Sequence, residues 1–197
     1  MSLYCLAIDD GYFDVRNKRR IETETTVMVG IVATPSKILE MRVTTVTIDG
    51  LDATQAAYDL YVSCSHHVDL IFLDGVTYAG FNIIDPLRLH ELVEAPIIVV
   101  FRFPLDLTKV RRALEKHFID HKYRYAVISR VYESSFDVPT PTKRSHVRIS
   151  VVGASRRWAL SIYSLFTSIY PDPYPLRVAD RIASMLGRSL QKLRYAK

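Results

Sequence analysis

Glycine is scarce in this chain, seven residues in 197, and cysteine is scarcer, at two. Two thiols cannot make a structural zinc site without histidine. Cys5 lies in an apolar, strand-like run and Cys64 in a helix-like one, so both read as buried free thiols in a reducing compartment. No apolar run reaches the roughly 18 residues that a membrane span needs. No basic segment followed by an apolar core and a cleavage site opens the chain. The expectation is a cytoplasmic protein with no membrane association. Walker-type phosphate loops, GxSxG elbows and Cys–His pairings are missing from the sequence. There is no internal repeat and no linker long enough to separate two domains, so residues 1–197 are expected to form one domain. Scarce glycine beside abundant Ile, Val, Tyr and Arg is compatible with a heat-adapted source.

What is present suffices for a core: 49% of the residues are hydrophobic and 24% charged. The net charge of +5 and a pI near 9.2 allow a polyanionic partner without demanding one. Basic residues gather at Arg16 to Arg20, at Lys143-Arg144, at Arg156-Arg157 and along the C-terminal segment.

Two apolar runs end in aspartate beside glycine. Leu70-Ile71-Phe72-Leu73 leads into Asp74-Gly75, and Leu3 to Ile8 leads into Asp9-Asp10-Gly11. Runs of this kind read as buried central strands. A carboxylate is costly in an apolar interior, so Asp9 and Asp74 are expected where the strands emerge, at the edge where open α/β sheets bind ligands. Asp10 reads as an exposed turn residue, its side chain opposite to that of Asp9. Thr25 to Ala33 and Ile38 to Ile48 are β-branched strands that form an antiparallel meander with the first. Asp52 reads as the cap of a helix over 53–62, with Gln55 as its capping-box partner. There follow a loop from Gly75 to Asp85, a helix from Pro86 to Val93, a strand from Ala95 to Phe103 and a charged helix from Leu107 to His121. Tyr125 to Tyr132 reads as a strand, Glu133 to Ser145 as a loop and Val147 to Val152 as a strand. Helices cover Ser155 to Ile169 and Leu176 to Tyr195. This order predicts a mixed α/β sheet with helices on both faces, in which the first and fourth strands are central and parallel and Asp9 stands beside Asp74.

Clustered carboxylates are what metal-dependent phosphodiester cleavage requires, because they hold the Mg²⁺ or Mn²⁺ that activates water and stabilises the leaving oxygen. Asp9 and Asp74 have that character. A third ligand is available at the start of the intervening helix, from Asp52 or, three residues earlier, Asp49. Convergence from non-local elements is more specific than any one of these acids.

The pattern resembles endonuclease V, and more closely a mainly archaeal family of endonuclease V-like proteins. The resemblance rests on Ala7-Ile8-Asp9-Asp10-Gly11, on Asp49-Gly50-Leu51-Asp52-Ala53-Thr54, on Leu73-Asp74-Gly75 with the run to Asn82, and on Pro171-Asp172-Pro173-Tyr174-Pro175-Leu176-Arg177-Val178-Ala179-Asp180. It implies a ribonuclease H-like fold and Mg²⁺-dependent (or Mn²⁺-dependent) cleavage of DNA or RNA near a deaminated purine. It also implies metal-ligand roles for Asp9 and Asp74, and for Asp52 by spacing. Arg102 falls where the family has a lysine, which would keep a positive charge near phosphate. The chain departs from endonuclease V in four places. The Tyr-x-Pro-Gly wedge is replaced by Val43 to Ile48, and the third acid is Asp rather than Glu. Histidines expected near Gly80 and at Ala154 are missing. These departures motivate an alternative, a nucleic-acid-binding or repair or RNA-processing partner protein that has lost catalysis.

Other candidates read as ordinary structure. His117 and His121, four apart on one expected helix, lack the further ligands of a metal site. His66-His67 are expected to close a helix. Tyr12, Phe13, Tyr78 and Phe81 lie in loops beside the two aspartates and could either stack bases or pack the loops. The C-terminal helix has an apolar face of Val178, Ile182, Met185, Leu186, Leu190 and Leu193. Arg181, Arg188 and Lys192 fall on its other side.

Overall fold

The computed structural model describes residues 3–14, 24–139, 147–167 and 171–195. The basic runs Arg16 to Arg20 and Lys143-Arg144, and residues 140–145 of the expected 133–145 loop, lie outside these residues; within the described part of that loop, Phe136–Val138 is a strand.

Three inner strands carry the most continuous apolar runs. They are β1 (Cys5–Asp10), β4 (Leu70–Asp74) and β7 (Ile97–Phe101); β7 is buried throughout, and β1 and β4 are buried except at their last residues, Asp10 and Asp74. Strands so uniformly apolar must be covered on both faces, and these run parallel at the centre of the sheet. β2 (Thr25–Ala33) and β3 (Ile38–Thr47) extend it antiparallel beyond β1. β9 (Val147–Val152) pairs antiparallel with β7, and β8 (Phe136–Val138) lies outside it. The order of the seven strands is β3-β2-β1-β4-β7-β9-β8.

Helices cover both faces. On one, α1 (Ala53–Val62), α2 (Pro86–Val93), α3 (Leu107–His117) and α4 (His121–Glu133) pack Leu60, Leu89, Leu114 and Ile128 onto Leu6, Ile8, Ile71 and Val99. On the other, α5 (Arg156–Phe166) and α6 (Tyr174–Tyr195) pack Tyr163, Phe166, Ala179 and Ala183 onto Ala7, Val29, Phe72 and Ile98. Each large side chain buried this way contributes roughly 1.5–3 kcal/mol of transfer free energy. Among the described residues no helix is long and apolar enough to cross a membrane.

The local readings fail in identifiable places. Residues 125–132 are helical, not a strand. The buried residues of α4, Arg124, Val127, Ile128 and Val131, repeat at helical spacing, and the β-branched composition concealed that period. The helix expected over 107–121 stops at His117, so His117 and His121 sit on different helices. The expected 75–85 loop contains a small hairpin, β5 (Thr77–Tyr78) with β6 (Asn82–Ile83). α1 ends at Val62, so His66 and His67 do not close it; they face Glu40 and Asp69 instead. On α6 the buried face is Leu176, Ala179 and Ala183, while Met185 and Leu193 are exposed. Small residues let this helix lie close to the sheet, while Val178, Ile182 and Leu186 of the expected face pack half-buried beside them.

Candidate active site

Parallel register sets the acidic strand ends side by side. Ile8 pairs with Leu73, and Asp74 with Val100. Asp9, Asp74 and Arg102 therefore emerge together at the carboxyl edge of β1, β4 and β7. Arg102 Nη2 lies 2.7 Å from Asp74 Oδ2 and 3.6 Å from Asp9 Oδ2. The last helix and the turn before it bring two more acids. Arg102 Nε is 3.7 Å from Asp172, and Nη1 is 3.8 Å from Asp180. Four carboxylates thus face one guanidinium. Nε and Nη2 are buried, yet neither is aligned for a hydrogen bond. What holds Arg102 here is charge rather than directional bonding.

One cation does not balance four anions, and the acids respond. Burial, then the charges of Asp74 and Asp10, raise Asp9 well above the ordinary carboxylate range, against the opposing pull of Arg102. Asp74 is pushed up to about 6 by burial and by Asp180 and Asp172, with Arg102 opposing. Beneath them Tyr78 is fully buried, and its hydroxyl donates to the Ile8 carbonyl at 3.4 Å. Burial and the charge of Asp9 hold that phenol neutral.

Asp10 is not an exposed turn residue. It ends β1, half-buried, and its Oδ2 accepts from the Ala79 amide at 2.8 Å. Burial pushes it up to about 6. Asp52 stands at the N-cap of α1 but makes no side-chain cap, so the capping box does not form. Its carboxylate accepts from the Thr47 hydroxyl at 2.8 Å and from the Asn82 amide at 2.5 Å. The charges that act most strongly on Asp9 and Asp74 come from each other's neighbourhood and from α6, not from Asp52. Asp49, in a left-handed conformation with φ 57°, accepts from the Phe81 amide at 2.9 Å.

The sequence reading missed the residues that fix this arrangement. Buried Asn82 donates to the Thr47 carbonyl and accepts from the Ala53 amide, tying β6 to β3 and α1. Arg124, 3% exposed, reaches in from α4. It donates to the carbonyls of Asp49, Gly50 and Phe81, forks onto Asp120, and lies over the Phe118 ring with its guanidinium 4.4 Å from the centroid. Asp172 and Asp180 could have been found, because both lie in the Pro171–Asp180 segment on which the resemblance rests.

The donors at this edge are hard carboxylate oxygens, the kind that suit Mg²⁺ or Mn²⁺. Uncompensated negative charge also favours a further cation, whereas the unbonded Arg102 donors call for an acceptor such as a phosphate oxygen. Among the described residues, however, no three such groups stand ready-spaced to hold a metal ion. Arg102 occupies the middle of the set, and a metal would have to share or take its place.

Comparison with known families decides the relationship: the sequence profile described as Endonuclease dU matches residues 2–187. The chain belongs to the endonuclease dU family. A relative in this endonuclease V-like archaeal group, the UPF0215 protein of Thermococcus kodakarensis, is 34% identical over 189 residues, covering 93% of each chain. A solved structure from Archaeoglobus fulgidus, described as a protein of unknown function, superposes with a TM-score of 0.76 at 23% identity, covering 93% of this chain and 97% of that one. Endonuclease V of Ciona intestinalis, solved with a 23mer DNA containing an inosine followed by a ribo-adenosine, gives 0.62 at 14% identity, covering 98% and 87%. At such identities the match concerns fold: the endonuclease dU family chain has the ribonuclease H-like mixed sheet of endonuclease V.

Proposed function

We propose that this member of the endonuclease dU family is a divalent-metal-dependent endonuclease that cuts DNA or RNA phosphodiesters beside a deaminated base. The observation that carries this is the acidic edge itself, where Asp9, Asp74, Asp172 and Asp180 converge on Arg102. The family name points to deoxyuridine, while the structural kinship to endonuclease V keeps deaminated purines such as inosine in play.

In this reading Asp9, Asp74 and Asp180 hold the metal. Asp52 joins them only on releasing Thr47 and Asn82. When bound, a divalent cation would neutralise charge building on the phosphoryl oxygens and lower the pKa of water. Arg102, displaced from the carboxylates, is long enough to meet a phosphate oxygen and keeps its charge throughout. A second reading, binding without catalysis, is favoured by the 2.7 Å contact of Arg102 with Asp74, which lets a tethered cation take the metal's place.

The test is cleavage of strands carrying one deoxyuridine or one inosine, with Mg²⁺ or Mn²⁺, beside calorimetric titration of Mn²⁺. Metal-dependent cutting that fails in Asp74→Asn supports the enzyme. Strand binding with no Mn²⁺ uptake and no cutting supports the second reading. Neither binding nor cutting refutes both.

A further inference from the structure

Two large aromatic side chains lie in the open at the carboxyl edge, one on each side of the acidic cluster. Phe103 follows Arg102 directly and is 78% exposed; Tyr12 lies three residues after Asp9 and is 41% exposed. Their parent strands, β7 and β1, flank β4. Two strand spacings separate them, roughly 10 Å.

Tyr12 is held from behind. Its carbonyl accepts from the Thr26 hydroxyl at 3.2 Å. Gly187 of α6 passes so close that an added Cβ would lie 2.5 Å from the Tyr12 nitrogen and oxygen. The backbone is clamped while the ring faces outward, with the Arg188 guanidinium 5.5 Å from its centroid. Tyr12, Arg188, Gln191 and Lys192 line an open hollow of about 280 Å³. On α6, Asp180, Ser184 and Arg188 follow at intervals of four, so one helix face leads from the carboxylates to this hollow.

An aromatic face with two cations beside it is the chemistry that takes a nucleobase and its phosphate, and aromatic platforms with a basic track hold single strands without reading sequence. We infer that Tyr12 and Phe103 are stacking platforms on either side of the acidic edge. Arg188 and Lys192 take the phosphates beyond Tyr12, so that a single-stranded stretch of nucleic acid lies across the site. This rests on the proposed action on nucleic acid and adds where the strand runs. It also gives the chain an aromatic contact in place of the wedge it lacks.

The test is fluorescence anisotropy of a labelled 12-nucleotide single-stranded oligodeoxyadenylate, with the full chain in the presence of chelator. Tyr12→Leu and Phe103→Leu, which keep bulk but lose the ring, should each weaken binding roughly 5- to 150-fold. Tyr12→Phe and Phe103→Trp should restore it. Arg188→Gln and Lys192→Gln should each lower the slope of log affinity against log salt by about 1. Unchanged melting temperatures show that the variants are folded. Binding by the wild type that the leucine variants leave intact overturns the platforms while the proposed function stands. A wild type that does not bind this strand overturns the single-strand path, while the proposed function is judged separately by cutting of the deoxyuridine and inosine strands with metal.

Discussion

A single residue, Asp74, carries two opposed consequences. Its carboxylate is held among like charges, so Asp74→Asn should make the metal-free protein more stable while reducing any metal-dependent cleavage at least ~100-fold. Thermal melts in chelator, set beside cleavage assays, check both signs. Arg124 is the opposite case, a buried cation whose five donors all find acceptors. Arg124→Met leaves three carbonyls and Asp120 without their donor and should cost roughly 3–5 kcal/mol in urea unfolding. Arg124→Lys should recover little, since an ammonium cannot span the fork. Of the residues gathered at this edge, Asp9 and Asp74 were legible because each closes an apolar run, where only an edge position is tolerable, and Arg102 only through the family resemblance. The Asp52 lock on Asn82 was not legible, because its partner lies on a hairpin too short to show a period.

At the level of elements, the inner strands and α2 declare themselves through uninterrupted burial and through Asp85-Pro86, whose carboxylate caps Leu87 at 3.0 Å. The 125–132 segment misled because its Tyr and Val residues favour strands in isolation, while burial of every third or fourth side chain makes it a helix. Helix α6 was legible in extent but only in part in orientation, since Val178, Ile182 and Leu186 do pack against the core. Its contact face is made of Ala179, Ala183 and Gly187, residues with too little apolar surface to mark a face by hydropathy. That closeness can be tested. Gly187→Ala should drive α6 from Tyr12 and cost about 1–3 kcal/mol, despite alanine being the better helix former. Equilibrium denaturation measures it.

Over the whole molecule, the acidic edge sets an unusual pH response. Asp74 and Asp10 are pushed up to about 6 in the folded chain against a usual 3.8, and burial raises Asp9 in the same direction. Groups raised in this way bind protons more tightly folded than unfolded, so stability falls as pH rises from about 4 to about 6 and stays lower above. Glu40, Asp52 and Asp120 are lowered: burial opposes the shift for Glu40 and Asp52, but hydrogen bonds from His66 and Thr47 outweigh it, and Arg124 pulls Asp120 down. The stability they contribute is present above about 4 and lost as pH falls below it. The metal-free chain should therefore melt highest near pH 4 and lower at pH 7.5. Millimolar Mn²⁺ should restore the loss at pH 7.5 and do little at pH 5, where protons compete for the same oxygens.

The acids around Arg102 come from the first strand, the fourth strand and the last helix with the turn before it. That has a consequence in time. Loop closure makes contacts so distant in sequence slow to form, and they are lost as soon as α6 lifts from β1 and β2. A molecule at that stage keeps its sheet but has only half of its carboxylates, so the edge is incomplete until the final docking. Occupancy of the edge and closure of the whole fold then become one event. Amide exchange along α6, rather than in the loops nearest the strand ends, would report it.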